Sequence, residues 1–441
     1  MSTTLFGTDG IRASVGTPPL TSHDLVTLGS ALGIWFTSYL KAHSIIIAHD
    51  TRISCPFIKA ALKAGLLSFP LEVHDAHVLP TPALFYHVTQ GMYDVGIMIT
   101  ASHNPYSDNG IKIFTKRGKL TADQEKTISD LFYKPLSSPI YTLLGTDHAL
   151  NNPSYTYSQA LFQRCIQQFL KGITIVVDCA NGAYSALAPS VLERLGARVI
   201  PIHNKPNGKN INEKCGSLYP NVLVKAVQEH HAHIGIAFDG DGDRVIMVGK
   251  NGHIASGDDI VALLLHHATY QQSNDIIGTV MSNQGLELHV RQKGKNFHRT
   301  QVGDKHVLMA MREHKSIIGA EPSGHVILKD FTETADGLFT ALRVLQVVVE
   351  TGNWNLTTFE KMPQVLINMP VKCKKDLSEP RYADIINSCQ SQLLQGRILV
   401  RYSGTEPVLR IMVEDSDAQH AYDIGKALSH QLSKNISEES T

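Results

Sequence analysis

The chain has 441 residues, of which 43% are hydrophobic, and this length and composition predict several domains with packed cores. Lysine plus arginine and aspartate plus glutamate number 40 each, so the formal net charge is zero. A balanced chain lacks the overall positive field that draws proteins to nucleic acid or to anionic membranes. We therefore expect neither partner, and any charged ligand must be held by a local cluster of side chains.

The amino-terminal sequence M-S-T-T-L-F-G-T-D-G-I-R has neither the basic start nor the apolar run of a signal peptide. The longest apolar runs are also far too short to span a bilayer. Six cysteines are scattered along the chain without a C-x-x-C pair, at Cys55, Cys165, Cys179, Cys215, Cys373 and Cys389. This distribution favours reduced thiols, so we expect a soluble protein of the cytoplasm.

Three segments repeat one pattern, in which an apolar run is followed by a polar loop and a stretch of helical length. Their apolar runs open at Ser44, Thr174 and Asp275. Buried strands followed by amphipathic helices are typical of α/β units on a mixed or parallel sheet. The pattern indicates three related α/β domains, although any α/β protein repeats this rhythm.

Changes in composition predict the domain boundaries. Polar, turn-rich sequence over 145–158 marks one boundary, a second follows Asp243, and the pattern changes again near Pro370. We predict three α/β domains and a smaller C-terminal α+β domain, with the ranges 1–150, 151–250, 251–369 and 370–441. Ser416 and Gln419 have the spacing of a capping box at the start of the last helix.

The first loop with chemical potential follows the apolar run V-G-I-M-I and reads T-A-S-H-N-P, with Ser102 at its centre. A serine hydroxyl is a weak nucleophile unless a base or charge activates it. The G-x-S-x-G motif of hydrolases is absent, and His103, as the adjacent residue, is expected to point away from Ser102. On the loop sequence alone, a turn built by Ser102, Asn104 and Pro105 is the better interpretation.

The strongest signal is A-F-D-G-D-G-D-R-V-I-M-V, in which three aspartates alternate with glycine: Asp239, Asp241 and Asp243. Their carboxylates repel one another strongly unless a cation neutralises them, and Mg²⁺ is favoured where phosphate completes the ligand shell. An EF-hand is excluded because Arg244 and Lys250 stand where glycine and glutamate are required. A solvated acidic turn is the remaining alternative.

The third loop, I-I-G-A-E-P-S-G-H-V-I-L, lies between two apolar runs. Its residues Glu321, Ser323 and His325 alternate and can offer hydrogen-bonding groups to one face. Such a set suits the hydroxyls of a sugar. An ordinary polar turn is equally compatible with the sequence.

The fourth loop reads R-I-L-V-R-Y-S-G-T-E-P-V-L-R. Arg401 and Arg410 bracket a turn formed by Ser403, Gly404 and Thr405. Hydroxyls, backbone N–H groups and guanidinium groups can converge there on phosphate oxygens. Surface arginines flanking a hairpin are the alternative interpretation.

Together, T-A-S-H-N-P, D-G-D-G-D-R, E-P-S-G-H and R-Y-S-G-T-E-P resemble the α-D-phosphohexomutase superfamily, in order and one loop per domain. The resemblance implies that the four domains enclose one central cleft. The opening F-G-T-D-G-I-R and the segment N-I-N-E-K-C-G-S, from Asn210 to Ser217, are similar to the branch that interconverts glucosamine 6-phosphate and glucosamine 1-phosphate. Ala13 and Pro322 depart from the usual motifs of that branch, and Pro322 adjoins the expected sugar contacts.

The resemblance implies that Ser102 is a phosphoserine that exchanges its phosphoryl group with the substrate through a sugar 1,6-bisphosphate intermediate. One Mg²⁺ per subunit would bind phosphorylated Ser102 and the three aspartates. Glu321, Ser323 and His325 would hold the sugar, and the fourth loop would hold the substrate phosphate.

The resemblance also implies a group of residues around the serine, for proton transfer or for charge balance: Arg12, His103, Lys112 and Arg244. Lys112 is the first choice as general acid or base, because a buried lysine beside other cations has a lowered pKa.

Three alternatives stay open. The first is a mutase for hexose phosphates without an amine, such as glucose or mannose phosphates. The second is a metal-dependent phosphatase in which water accepts the phosphoryl group, and the third is a non-catalytic sugar-phosphate sensor. The partner we expect is a small sugar phosphate, and the chain is expected to act as a monomer or a homodimer.

Overall fold

The computed structural model describes residues 5–7, 9–134, 143–371, 374–402 and 407–437. Four β-sheets follow one another along the chain, and each sheet with its helices is called a unit below. No helix in these ranges combines the length and the apolar character needed to cross a membrane.

The first unit has a seven-stranded sheet in the order β1-β5-β4-β2-β3-β7, with β6 paired to β5. Its strands are β1 (Ile11–Ser14), β2 (Ser44–His49), β3 (Glu72–Val78), β4 (Val95–Ile99), β5 (Asp108–Thr115), β6 (Gly118–Lys119) and β7 (Thr146–Ala149). Its helices are α1 (Ser22–Ile34), α2 (Cys55–Leu66), α3 (Thr81–Thr89) and α4 (Ala122–Tyr133).

The second unit has a five-stranded sheet in the order β12-β11-β10-β8-β9. Its strands are β8 (Thr174–Asp178), β9 (Arg198–Ile202), β10 (Ile234–Phe238), β11 (Val245–Gly249) and β12 (Ile254–Ala255). Its helices are α5 (Tyr155–Phe162), α6 (Leu187–Arg194) and α7 (Pro220–Glu229).

The third unit has a four-stranded sheet in the order β14-β13-β15-β16. Its strands are β13 (Asp275–Thr279), β14 (Asn296–Thr300), β15 (Ile318–Ala320) and β16 (Val326–Leu328). Its helices are α8 (Gly257–Leu264), α9 (Ala268–Gln271), α10 (Gln284–Gln292), α11 (Asp304–Glu313) and α12 (Gly337–Thr351).

The fourth unit is smaller and has an antiparallel sheet in the order β17-β19-β18. Its strands are β17 (Gln364–Pro370), β18 (Arg397–Tyr402) and β19 (Val408–Glu414), and its helices are α13 (Pro380–Gln390) and α14 (Ala418–Ser437). It has a hydrophobic core of its own, whereas one continuous core joins the second and third units to one face of the first sheet.

The first three units share one strand arrangement. In each, the first of three consecutive parallel strands lies between the second and the third, giving β3-β2-β4, β9-β8-β10 and β14-β13-β15. A fourth strand, β5, β11 or β16, then runs antiparallel beside the third. In sheets of this kind, ligands bind outside the carboxyl ends of the strands, at the point where the strand order reverses.

Three of the predicted motifs occupy the same position in this arrangement, directly after the third parallel strand. T-A-S-H-N-P follows β4, D-G-D-G-D-R follows β10, and E-P-S-G-H follows β15. The predicted fold class, three related mixed-sheet α/β domains and a smaller C-terminal α+β domain, is confirmed.

The exact domain boundaries stay predictions. The strand pairing favours moving two of the predicted boundaries, because β12 pairs with β11 of the second unit and β17 pairs with β19 of the fourth. We infer that the third domain begins after residue 255 rather than at 251, and the fourth near 364 rather than 370.

Candidate active site

Ser102 lies in the loop after β4, and its side chain is buried. Its backbone has φ 52°, a left-handed conformation that residues other than glycine rarely adopt. The Ser102 hydroxyl donates a hydrogen bond of 2.7 Å to Asp239 Oδ2, and its amide donates to Thr100 Oγ1 at 2.9 Å. Ser102 of the first unit therefore lies against the D-G-D-G-D-R loop of the second unit, which is called the acidic loop below.

His103 does not point away from the serine, so that prediction is wrong. The left-handed turn at Ser102 brings His103 Nδ1 to 3.3 Å from Ser102 Oγ. Burial, followed by the positive charges of Arg244 and Arg12, lowers the pKa of His103 to about 4. The imidazole is therefore neutral near pH 7 and can accept a proton.

The three aspartates of D-G-D-G-D-R lie together and are buried. Each offers a carboxylate oxygen within 4.8 Å of the others: Asp239, Asp241 and Asp243. Asp239 Oδ1 accepts hydrogen bonds of 3.1 Å from the amides of Gly242 and Arg244, which curls the backbone around the carboxylate. This group is called the acidic trio below.

The acidic trio has unused oxygen atoms that suit a cation. Asp241 Oδ1 and Asp243 Oδ1 are buried and find no hydrogen-bond partner among the described residues. A buried carboxylate oxygen without a partner is costly, and a hard divalent cation is the ligand that such oxygens prefer. The residues present therefore fit a divalent metal ion.

The pKa values of Asp239 and Asp243 are shifted in opposite directions. Burial, followed by the charges of Asp243 and Asp241, raises the pKa of Asp239 well above its ordinary value. Burial also acts to raise the pKa of Asp243, but Lys112 above all outweighs it, and the pKa is lowered. Without a cation, then, Asp239 retains a proton more readily than Asp243.

Lys112 lies on β5 and is buried among carboxylates. Its Nζ is 3.0 Å from Asp241 Oδ2, 3.1 Å from Asp243 Oδ2 and 3.0 Å from Asp9 Oδ2. Burial acts to lower the pKa of Lys112, but these three carboxylates raise it well above its ordinary value. The expectation of a lowered pKa is therefore wrong for this structure, in which Lys112 is a counter-ion to the three carboxylates.

Two residues near the trio, Asp9 and Thr81, were not predicted from the sequence. Asp9 accepts from Arg12 Nη2 at 2.9 Å and pairs with Lys119 Nζ at 2.8 Å as well as with Lys112. Thr81, at the start of α3, donates a 2.6 Å hydrogen bond to Asp241 Oδ2. Asp9 stands in the quoted F-G-T-D-G-I-R, so its acidic side chain beside Arg12 was an available signal, whereas nothing marked Thr81.

The sugar-loop candidate E-P-S-G-H joins the acidic loop directly. Arg244 and His325 form an antiparallel bridge, and the Val245 amide donates to the Gly324 carbonyl at 3.0 Å. Burial acts to lower the pKa of Arg244, but Asp243 and Asp239 raise it, so the guanidinium stays charged.

The three predicted sugar ligands differ in their surroundings. Glu321 is buried and accepts from the Gly303 amide at 2.9 Å, whereas Ser323 is exposed. His325 is buried, its Nδ1 has no hydrogen-bond partner in the described part of the chain, and burial lowers its pKa to about 4. Its neutral imidazole can therefore exchange a hydrogen bond with a ligand hydroxyl.

A cavity of about 370 Å³ opens beside His325, between the first and third units. Lys119, Asp304 and Lys305 are among its lining residues. This volume is in the range of small-molecule sites. A larger cavity of about 650 Å³ lies at the seam of the first and second units, but none of the predicted site residues lines it.

On the fourth sheet, Arg401 and Arg410 lie directly opposite each other on β18 and β19. Burial, followed by the charge of Arg410, lowers the pKa of Arg401. Two neighbouring cations on one face favour an anionic ligand. The remaining predicted phosphate ligands, Ser403, Gly404 and Thr405, lie outside the described residues.

Gly242 is required by the shape of the acidic loop. Its φ is 81°, and a Cβ atom there would lie 2.3 Å from the ring of Tyr184. We expect Gly242→Ala to destabilise the protein by at least about 2 kcal/mol in chemical unfolding. Gly172→Ala is the matched control, because Gly172 has φ 84° with nothing within 4 Å, and should cost only about 1 kcal/mol. Equal costs for the two variants would show that the Tyr184 ring makes room freely.

Comparison with known proteins identifies the family. Four domains of the phosphoglucomutase/phosphomannomutase family match in order: α/β/α domain I at 3–137, α/β/α domain II at 156–252, α/β/α domain III at 256–364 and the C-terminal domain at 366–430.

Curated relatives match the whole chain. The phosphoglucosamine mutase of Geotalea uraniireducens (strain Rf4) is 39% identical over 98% of both chains. That of Myxococcus xanthus (strain DK1622) is 41% identical over 98% of this chain and 97% of its own.

Solved structures agree on the fold. A phosphoglucomutase/phosphomannomutase family protein from Burkholderia thailandensis superposes with a TM-score of 0.81 at 22% identity, covering 98% of this chain and 97% of its own. The N-acetylphosphoglucosamine mutase of Aspergillus fumigatus, solved with GlcNAc-6P and magnesium, gives 0.65 at 17% identity, with 97% and 95% covered. With relatives of about 40% identity along its whole length, the chain belongs to the phosphoglucosamine mutase family of isomerases, within the phosphohexomutases.

Proposed function

We propose that this chain interconverts glucosamine 6-phosphate and glucosamine 1-phosphate through a phosphorylated Ser102 and a sugar 1,6-bisphosphate. The observation that carries the proposal is the 2.7 Å contact between Ser102 Oγ and Asp239 within the buried acidic trio. Packing alone does not require a serine hydroxyl to be held beside a group of three buried carboxylates. The arrangement is explained if a phosphate on Ser102 and a cation bound by the trio neutralise each other.

The acidic trio and the phosphate on Ser102 would together hold one Mg²⁺ per subunit. The unpartnered oxygens of Asp241 and Asp243 support this assignment. When bound, the ion neutralises phosphoryl oxygens and polarises the phosphorus for transfer.

The chain's own residues position the substrate for transfer. Arg401 and Arg410 would hold the phosphate already on the sugar, together with the adjoining turn, whereas Glu321 and His325 would bind ring hydroxyls. The free sugar hydroxyl then faces the phosphoserine. The bond from phosphorus to Ser102 Oγ breaks as the bond from phosphorus to the sugar oxygen forms. A base near the serine takes the proton of the sugar hydroxyl and returns it to the released Ser102 Oγ.

Two residues near the serine are candidates for that base. Neutral His103 can accept a proton directly, whereas Lys112 can do so only after losing a proton that three carboxylates stabilise. Arg12 and Arg244 would balance the charge of the transferring group. After the bisphosphate reverses its direction in the cleft, its other phosphate returns a phosphoryl group to Ser102.

Comparing substrates tests the proposed activity. We expect kcat/KM for glucosamine 6-phosphate to exceed that for glucose and mannose phosphates by at least about tenfold. A preference for the neutral sugars would instead assign a hexose phosphate mutase, a possibility kept open by Pro322 in the sugar loop. Stoichiometric release of inorganic phosphate without the isomeric product would assign a phosphatase.

A cytoplasmic location is part of the proposal. It is supported by the five cysteines within the described ranges, all of which are free thiols. The choice between monomer and homodimer stays a prediction.

A further inference from the structure

Two side chains from different units bind the same pair of carbonyl groups in the serine loop. Arg52 Nη2 donates to the carbonyls of Ser102 at 2.9 Å and Asn104 at 2.8 Å. Asn212 Nδ2 donates to the same two carbonyls at 2.9 Å and 3.1 Å. These residues are called the carbonyl clamp below. Arg52 follows β2 in the first unit, whereas Asn212 belongs to the N-I-N segment of the second.

The first half of the clamp is rigid. Arg52 Nε pairs with Asp50 Oδ2 at 2.9 Å, and both side chains are completely buried. The same carboxylate oxygen accepts a 2.7 Å hydrogen bond from Thr100 Oγ1, which in turn accepts from the Ser102 amide. The amide and the carbonyl of Ser102 are thus both fixed by one connected network.

The second half of the clamp ties the loop to the second unit. The backbone of Asn212 is also in the left-handed conformation, with φ 57°, and its backbone N–H donates to the Ala180 carbonyl at 2.9 Å. The acidic loop passes the same point, because a Cβ atom on Gly240 would lie 2.6 Å from the Ser102 carbonyl oxygen and 2.9 Å from Asn212 Nδ2.

Ser102 needs this support. A left-handed residue other than glycine costs about 1–3 kcal/mol and persists only where its surroundings enforce it. That conformation directs the hydroxyl toward Asp239, 2.7 Å away. Loss of the clamp would let the loop relax and move the hydroxyl relative to the acidic trio.

We propose that Asn212, acting with Arg52, is a positioning residue for phosphoryl transfer. The two side chains fix the position of the Ser102 loop relative to the acidic loop. This inference rests on the proposed function and adds a role for the N-I-N segment. Asn212 Nδ2 bonds to backbone carbonyls rather than to the hydroxyl or the predicted sugar ligands. Its loss therefore affects the rate of transfer and leaves substrate affinity nearly unchanged.

The test compares two asparagines of one motif. Asn212→Asp removes the amide donor and sets a carboxylate against two carbonyl oxygens, and Asn212→Ala removes the donor alone. Asn210→Asp is the matched control, because the Asn210 side chain bonds within its own loop, donating to the Lys205 carbonyl at 3.0 Å and accepting from the Asn207 backbone amide at 2.9 Å. Activity is normalised to the folded fraction measured by circular dichroism.

We expect both Asn212 variants to lose at least about tenfold in kcat with KM changed less than about twofold, and Asn210→Asp to match the unmodified protein. A kcat within twofold of that of Asn210→Asp, or a loss confined to KM, would overturn the inference. If Asn212→Asp does not fold, Asn212→Ala decides. If the Asn212 variants keep the wild-type kcat while the Ser102→Ala variant is inactive, only this inference is refuted. An active Ser102→Ala variant would instead refute the proposed function.

Discussion

Replacing Ser102 with alanine is expected to abolish the mutase reaction and to remove the only phosphoryl group that the purified protein carries. In the proposed mechanism the Ser102 hydroxyl oxygen both gives and receives the phosphoryl group, and its place is fixed by the 2.7 Å hydrogen bond to Asp239. We expect kcat to fall by about 10⁴-fold or more, as for removal of other catalytic nucleophiles. Intact-protein mass spectrometry and a coupled assay measure the two effects.

Ser107→Ala provides the control for that experiment. Ser107 lies in the same loop but is exposed, so its loss should leave the phosphoryl adduct and the activity in place. An adduct that persists in Ser102→Ala would mean that another residue carries the phosphate. Substantial activity in Ser102→Ala would contradict the mechanism as a whole.

The second large effect is expected for Asp241→Asn. One of the two Asp241 oxygens is buried and has no hydrogen-bond partner among the described residues, and the other accepts from Thr81 and Lys112. Asparagine keeps an acceptor for Thr81 but loses the charge that a divalent cation requires. We expect the Mg²⁺ concentration at half-maximal activity to rise at least about tenfold, with the fold retained.

Asp275→Asn is the matched control for the metal experiment. Asp275 opens β13 and forms a second group of possible metal ligands with His298 and His314. Because this group lies at the amino end of its strand, away from the motif loops, its loss should not change the Mg²⁺ dependence. Wholesale unfolding of Asp241→Asn would instead make the acidic trio a structural element.

Local sequence pattern was sufficient to predict the framework of the first three units. The apolar runs predicted to open at Ser44, Thr174 and Asp275 begin the strands β2, β8 and β13 at those residues. Buried parallel strands are nearly continuous apolar runs, so their starts are visible without tertiary information. The motif loops were visible for the same reason, since each interrupts such a run.

Contacts between distant segments were beyond sequence pattern. Arg52 and Asn212 meet at Ser102 only because two sheets dock, and the partners of Lys112 come from both the first and the second unit. The pKa of Lys112 was predicted to be lowered, and this was wrong because the sequence does not show how many carboxylates surround the side chain.

The start of the last helix was also predicted incorrectly, because two adjacent polar residues, Ser416 and Asp417, could each cap it. The last helix begins at Ala418, and Asp417 caps it by accepting from the His420 amide at 2.7 Å, so the predicted capping box at Ser416 is wrong by one residue. A carboxylate at the cap favours the positive end of the helix dipole more strongly than a hydroxyl does.

One divalent ion is expected to be shared between the acidic trio and the phosphate on Ser102. Crystals of the phosphorylated protein grown with Mn²⁺ test it directly through the anomalous difference map. We predict one peak enclosed by carboxylate oxygens of Asp239, Asp241 and Asp243 and by an oxygen of the Ser102 phosphate. A peak elsewhere, or a phosphate on Ser102 that points away from an ion in the trio, would contradict the account.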